Sequence, residues 1–197
     1  MTLVGVIVSG GRSRRFGSEK ALAQLEGRPL IAHCYDVLAS ACAAVAVNAP
    51  VESATAAWAR GLALAVIPDL PGMPQGPLTG LGVGLEWAAA RGASLLATTP
   101  CDTPWLPSDL VERLVAALTP DAGAAIAGCG AELHPICAVW RVSQAPVVRT
   151  LLDAGRHPPV RELAERLSAP VVDFSDRRAF ANVNTVDDLA QYAGNGP

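Results

Sequence analysis

The sequence predicts an α/β domain whose mostly parallel sheet is covered by helices on both faces, a three-layer α/β/α arrangement. Three observations lead there. Short apolar runs alternate with helix-length segments, the pattern of crossover units on a parallel sheet. Glycine and proline gather directly after several of the apolar runs, where strands give way to loops. The length, 197 residues with 51% of them hydrophobic, suits a single domain. Such a chain buries roughly 70% of the surface it exposes unfolded and needs no metal or disulfide staple.

Residues 4–8 form an apolar, β-branched run and give the first strand. A helix over 29–41, a strand over 45–48, a helix over 53–60 and a strand over 64–67 follow. The alternation continues with a helix over 78–90, a strand over 94–98 and a helix over 107–118. Beyond that the pattern is less regular: strands at 124–127, 136–140 and 171–174 lie between helices near 144–153 and 160–167, an appendage on the same sheet. A last helix over 186–193 starts after Thr185, whose hydroxyl can cap free amides while Asp188, three residues on, completes a capping-box-like pair. No internal repeat, low-complexity tract or linker divides the chain, so residues 1–197 read as one domain.

The formal net charge of −3 argues against a broad basic surface for nucleic acid. The uncharged stretch at 37–51 is interrupted by Asn48 and Pro50 and is shorter than the about 20 apolar residues a membrane helix requires. The N-terminus runs straight into a strand without a basic region or cleavage site, which points to a cytoplasmic location. Five cysteines, Cys34, Cys42, Cys101, Cys129 and Cys137, are odd in number and contain no Cys-x-x-Cys pair, so they read as reduced, mostly buried thiols.

The segment after the first strand, Val8-Ser9-Gly10-Gly11-Arg12-Ser13-Arg14-Arg15-Phe16-Gly17-Ser18-Glu19-Lys20, carries four cations and one anion, a local +3 in a chain of net −3. Adjacent glycines let backbone amides approach an anion closely, and guanidinium and ammonium groups complete a polyphosphate cradle. It is not a Walker loop, because Gly17 is followed by Ser18, and Gly10-Gly11 does not supply the spacing of a dinucleotide fingerprint. The alternative is a solvated arginine loop after a tight turn.

Three loops that follow apolar strands, 10–20, 68–84 and 100–107, are candidate walls of one crevice, because open α/β sheets bind ligands outside the carboxyl ends of their strands. In Pro100-Cys101-Asp102-Thr103-Pro104 a strand ends in a carboxylate held between prolines. Magnesium is usually bound by one or two carboxylates plus substrate phosphates, which makes Asp102 the candidate metal ligand; the alternative is an incidental turn aspartate. Gly76-Pro77-Leu78-Thr79-Gly80-Leu81-Gly82-Val83-Gly84 opens a helix with small residues, suited to close helix–sheet packing and to a flat backbone edge on which a base can lie. Asp69 can accept from a ribose hydroxyl or a base N–H. His134 reads as structural, ahead of a strand, with a substrate contact as the alternative, and Trp58, Trp87, Trp105 and Trp140 read as packing.

These blocks, together with His134-Pro135, Val172-Asp173-Phe174-Ser175-Asp176 and Asn182-Val183-Asn184-Thr185, resemble molybdenum cofactor guanylyltransferase over nearly the whole chain. The first loop alone marks the wider superfamily of Rossmann-like nucleotidyltransferases, and the last two blocks narrow it. The resemblance implies a nucleotide-binding part at 1–120 and an acceptor-binding part at 121–197. It implies GTP contacts at Val8, Ser9, Gly10, Gly11, Lys20, Asn48, Asp69, Gly76 and Asp102, with Mg²⁺ also on Asp102. Asn48 is matched by its place at a strand end rather than by a motif. Asn182 and Asn184 are implied to face molybdopterin.

In the implied reaction a phosphate of molybdenum-molybdopterin attacks the α-phosphorus of GTP and pyrophosphate leaves, so no protein nucleophile is needed. Gly10, Gly11, Arg15 and Lys20 hold the leaving group and, with Asp102, carry catalysis by positioning and charge neutralisation. Molybdopterin donor proteins or acceptor molybdoenzymes are implied partners. Two departures stand out: Ser9 replaces the family's usual Ala, and Arg156 is followed by His157-Pro158-Pro159, which leaves the roles of Arg156 and Arg161 open. Rival readings are a relative that uses CTP or a sugar-phosphate acceptor, and a nonenzymatic GTP-binding carrier.

Overall fold

The computed structural model describes residues 1–9, 19–185 and 188. Strand β1 (Leu3–Val8) leads to a small hairpin, β2 (Gln24–Leu25) and β3 (Arg28–Pro29), then α1 (Leu30–Ala41). Next come β4 (Val45–Asn48), α2 (Ala54–Gly61), β5 (Ala65–Ile67), α3 (Pro77–Ala90), β6 (Leu95–Pro100) and α4 (Leu110–Ala117). The second half adds β7 (Ala124–Cys129), β8 (Glu132–Arg141), α5 (Ala145–Asp153), α6 (Val160–Arg166) and β9 (Val171–Asp173).

Among the described residues, seven strands form one sheet in the order β5-β4-β1-β6-β8-β7-β9. All neighbouring pairs are parallel except those of β8, which runs antiparallel to both β6 and β7. The expected mostly parallel sheet is therefore present. The chain moves outward from β1 to β4 and β5, then crosses back through α3 to β6 on the other side of β1. That reversal opens a crevice at the carboxyl ends of β1 and β6.

The period of two along β1 decides which helices cover which face. Ile7 packs with Ile31, Leu38, Leu110 and Leu114, from α1 and α4, on one side. Val4, Val6 and Val8 pack with Leu81, Leu85, Leu96 and Trp140 on the other, where α3, α5 and α6 lie. Trp140 is fully buried, and its indole N–H donates to Thr98 Oγ1 at 3.0 Å, while that hydroxyl donates to the Ile136 carbonyl at 2.7 Å.

Two elements depart from the sequence reading. The β2–β3 hairpin, not foreseen, turns on Glu26 and Gly27, both with positive φ (52° and 77°), the geometry of a two-residue hairpin turn usually signalled by Asn-Gly or Asp-Gly. Pro29 consequently ends β3 and caps α1 rather than lying inside the helix. Strand β8 begins at Glu132, not at residue 136. A register shift at Ile126/Ala127 pairs Ile126 with Ala138 and Ala127 with His134, so a bulge absorbs Pro135, which has no N–H for the ladder.

Candidate active site

The register of β1 fixes the geometry of the crevice. Val8 is the Cα partner of Asn48 on β4 and of Pro100 on β6, so three strands end at one level. The Ser9 amide donates to the Asn48 carbonyl at 3.1 Å, and the Ser9 and Cys101 side chains are hydrogen-bonded. Burial, with the Asp102 carboxylate beside it, pushes the Cys101 thiol up to about 12 against the opposing pull of the Ser9 hydrogen bond and the Lys20 ammonium, so it stays protonated. All five cysteines are free.

Lys20 opens a single 3-10 turn, Lys20–Leu22. Its ammonium ion-pairs with Asp102 Oδ2 and donates to Asn184 Oδ1 at 2.7 Å. The Lys20 and Asp102 side chains are 13% and 19% exposed, low enough to favour pairing over hydration and high enough for a ligand to reach them. The Val183 amide donates to the Asp102 carbonyl at 2.9 Å, which lays residues 181–184 along the end of β6. The Asp188 carboxylate accepts from the amides of Asn184 (2.6 Å) and Thr185 (2.9 Å), and the Asp188 amide donates to Thr185 Oγ1 at 3.1 Å. This is the capping pair expected from the sequence; the Asn184 amide is the largest influence holding the Asp188 carboxyl below its ordinary range. Apart from Asp188, the helix expected over 186–193 lies outside the described residues.

A second constellation sits at the ends of β4 and β5. Asn48 is buried, and its Nδ2 donates to the Ile67 carbonyl at 3.0 Å and to Asp69 Oδ1 at 2.9 Å. Its Oδ1 is buried without a hydrogen-bond partner among the described residues and faces Gly80, where a Cβ would stand 2.6 Å away. Gly80 therefore serves close packing of α3 on the sheet. Gly76 caps α3 ahead of Pro77, and a Cβ there would meet nothing within 4 Å. Thr79, fully buried, donates to the Pro74 carbonyl at 2.7 Å and pins the loop before α3.

The structure thus brings together Val8, Ser9, Lys20, Asn48, Asp69, Asp102 and Asn184. Asn182 is exposed, two residues ahead of Asn184 on the same segment. Gly10, Gly11 and Arg15 lie outside the described residues. Arg161 is exposed on α6 and pairs with Glu165 at 3.6 Å. His134 lies within β8 and stacks on Phe180 (centroids 4.5 Å apart, 16° between planes); burial pulls its imidazole down from the ordinary histidine value. Sequence reasoning missed Glu19, whose partners Ala54 and Thr55 are 35 and 36 residues away along the chain.

No group of three or more His, Cys, Asp or Glu among the described residues is placed to hold a metal ion. Asp102 is a single hard-oxygen donor beside a cation, a set that fits magnesium only when phosphates and water supply the remaining ligands. No helix among the described residues is long and apolar enough to cross a membrane.

The family model described as MobA-like NTP transferase domain matches residues 5–171. The molybdenum cofactor guanylyltransferase of Rhodobacter capsulatus is 41% identical over 192 residues, covering 97% of this chain and 95% of its own length. That of Cereibacter sphaeroides is 40% identical with the same coverage. Among solved structures, molybdopterin-guanine dinucleotide biosynthesis protein A from Archaeoglobus fulgidus shares the fold with a TM-score of 0.72 at 24% identity, covering 96% of each chain. A 4-diphosphocytidyl-2C-methyl-D-erythritol synthase shares it at 0.73 and 12% identity over 96% of this chain and 95% of its own, so the architecture is common to enzymes with other names. Coverage end to end at these identities, on a sheet whose strand ends gather Lys20, Asp102 and Asn184, places the chain in the molybdenum cofactor guanylyltransferase family of MobA-like nucleotidyltransferases.

Proposed function

We propose that the chain transfers GMP from GTP to the terminal phosphate of molybdenum-molybdopterin, forming molybdopterin guanine dinucleotide cofactor and pyrophosphate. The observation that carries this reading is the Lys20 ammonium held between Asp102 and Asn184 at the mouth of the sheet. An oxygen of the acceptor phosphate attacks the α-phosphorus of GTP, the bond from that phosphorus to the β-bridging oxygen breaks, and pyrophosphate leaves with the electron pair. The attacking phosphate is already anionic at neutral pH, so the protein needs no nucleophile and no strong base.

Lys20 neutralises charge. Its ammonium already sits among oxygen acceptors, and phosphate oxygens of GTP replace them with little reorganisation of the site. Asp102 would hold Mg²⁺, a hard cation that would neutralise phosphate charge when bound. Gly10, Gly11 and Arg15 complete the cradle on sequence grounds. Asp69, with one oxygen engaged by Asn48, has the other to accept from the base or ribose; guanine offers adjacent N1–H and N2–H donors, which favours GTP over CTP. Asn182 and Asn184 place the acceptor. The free cysteines suit a reducing cytoplasm, where molybdopterin donor proteins and acceptor molybdoenzymes would be its partners.

The test is pyrophosphate release in parallel incubations with molybdenum-molybdopterin and either GTP or CTP, with and without Mg²⁺. Release with GTP that depends on both acceptor and metal is expected. Release with CTP alone, or with a sugar phosphate in place of the pterin, overturns the substrate assignment, and GTP binding without release makes the chain a carrier.

A further inference from the structure

We propose that Glu19 is a positioning residue for this transfer: its carboxylate clasps the N-terminus of α2 and so fixes the backbone from which Lys20 reaches Asp102 and Asn184. The inference rests on the reading of the crevice as a GTP site.

The clasp is specific in geometry. Glu19 Oε1 accepts from the Ala54 amide at 2.7 Å, and Oε2 accepts from the Thr55 amide at 2.7 Å and from the Thr55 hydroxyl. Thr55 is buried. These hydrogen bonds hold the Glu19 carboxyl below its ordinary range against the opposing effect of burial. Its backbone does different work: the Glu19 carbonyl accepts from Leu22 and opens the turn that begins with Lys20.

The helix itself does not require this carboxylate. Ser53 caps α2 from within, its hydroxyl accepting from the Ala56 amide at 3.0 Å and its carbonyl from the Ala57 amide at 3.1 Å. The two amides that remain, Ala54 and Thr55, are those that Glu19 occupies, so the first four N–H groups of α2 are all satisfied within the protein. The end of α2 is therefore an internal anchor and not a seat for substrate phosphate.

Two consequences bear on the site. First, charge is sorted. Glu19 and Lys20 are neighbours in sequence, yet the carboxylate is balanced by the positive end of α2 and the ammonium is turned to Asp102 and Asn184, so the lysine is directed into the crevice rather than onto its own neighbour. Second, distance is fixed. Consecutive Cα atoms stand about 3.8 Å apart, so holding the Glu19 side chain on α2 confines the start of the lysine side chain as well. Because α2 follows β4, the clasp also ties the phosphate-binding cation to the strand that carries Asn48.

The experiment is a double-mutant cycle on the full chain, read as steady-state pyrophosphate release and as melting temperature. Lys20→Ala alone should lower kcat/KM for GTP by about 10²–10³. Glu19→Ala should lower it by roughly 10- to 100-fold, the scale of a displacement near 1 Å, with KM for molybdopterin unchanged. Glu19→Gln keeps one acceptor oxygen and should recover part of the loss. In a Lys20→Ala background, Glu19→Ala should lower kcat/KM no further while still lowering the melting temperature, because the residue acts through the lysine. Should Glu19→Ala not fold, Thr55→Val, which removes the hydroxyl donor and keeps both amides, carries the same cycle. Losses that simply multiply show Glu19 acting independently of Lys20, and a Glu19 or Thr55 variant that melts lower with unchanged kcat/KM assigns Glu19 to stability alone; either result overturns the proposal. An unchanged Lys20→Ala overturns the site reading beneath it, and the proposal falls with it.

Discussion

Adding one methyl group at Gly80 should both destabilise the protein and weaken its hold on GTP. An ideal Cβ at Gly80 lies 2.6 Å from Asn48 Oδ1 and 2.8 Å from Val8 Cγ1, where ordinary contacts between such atoms are about 3.5 Å or more. Neither neighbour yields easily: Val8 is buried on the sheet, and Asn48 is held through Nδ2 by Ile67 and Asp69. Overpacking of this kind costs about 1–3 kcal/mol, offset by the roughly 1 kcal/mol that Ala gains over Gly inside a helix. The net destabilisation of up to about 2 kcal/mol corresponds to a fall of several degrees in melting temperature for a chain of this size. If Asn48 turns away to make room, each hydrogen bond it loses removes about 0.5–1.5 kcal/mol from the base side of the pocket, roughly two- to fifteenfold in GTP affinity. Gly61, the last residue of α2, is the control, since a Cβ there meets nothing within 4 Å and its φ is not positive. Gly61→Ala should stabilise the protein by about 0.5–1 kcal/mol, raise the melting temperature slightly and leave GTP binding unchanged. Calorimetric melting and GTP titration of the two variants decide the matter. A Gly80→Ala protein that melts like Gly61→Ala and binds GTP normally refutes the argument that α3 is packed directly over Asn48.

Asp102→Asn, which keeps size and removes charge, should lower kcat by about 10²–10³ with a smaller change in GTP affinity, whereas Lys20→Ala should lower both, as single-turnover kinetics and calorimetry can report. Thr98→Val strands the buried Trp140 N–H and should cost about 1–3 kcal/mol in denaturant melts while leaving KM for GTP alone. Glu19 titrates below its ordinary value of 4.5 because the Thr55 hydroxyl and the amides of Thr55 and Ala54 outweigh the upward effect of burial. A carboxyl depressed in the fold stabilises above its unfolded value and loses that contribution as pH falls through the folded one. The melting difference between wild type and Glu19→Gln should therefore hold above the ordinary value of 4.5 and shrink as pH falls below it. Cys42 and Cys101, both pushed up to about 12, Cys42 by burial alone and Cys101 chiefly by burial, should alkylate at pH 8 roughly two to three orders of magnitude more slowly than free cysteine, measured peptide by peptide by mass spectrometry.

What the sequence makes legible here is what depends on neighbours along the chain. The alternation of apolar runs with helical segments yields the sheet, because burial on both faces imposes it from β1 to α4. The Thr185–Asp188 cap is readable because its spacing is local. The β2–β3 hairpin was hidden because Glu26 adopts a positive φ that its residue type does not advertise. The start of β8 was hidden because Pro135 looks like a strand breaker until the bulge opposite Ile126 and Ala127 accommodates it. At the site, Lys20 and Asp102 carried their chemistry in composition, but their pairing, and that of Lys20 with Asn184, is a product of topology. Glu19 had no signal of its own: its role depends on α2, and a carboxylate next to a lysine reads from sequence as a charge pair.

The candidate site also explains why the nucleotide side and the acceptor side proposed for this chain are hard to separate physically. Asn184 reaches Lys20 only because the segment before it is anchored. Val183 is fully buried with Leu25 and Leu30, at the base of the β2–β3 hairpin, and its amide binds the Asp102 carbonyl. Burying one valine side chain contributes about 1.5–3 kcal/mol, and that burial is made against Leu25 of β2 and Leu30, the first residue of α1. Asn184, which we propose faces the acceptor, is thus positioned by the core beneath the hairpin and by Asp102, the residue that pairs with the Lys20 ammonium. A site assembled in this way couples its two proposed halves through one residue: the Asp102 side chain meets the Lys20 ammonium, and its main chain holds the segment that carries Asn182 and Asn184.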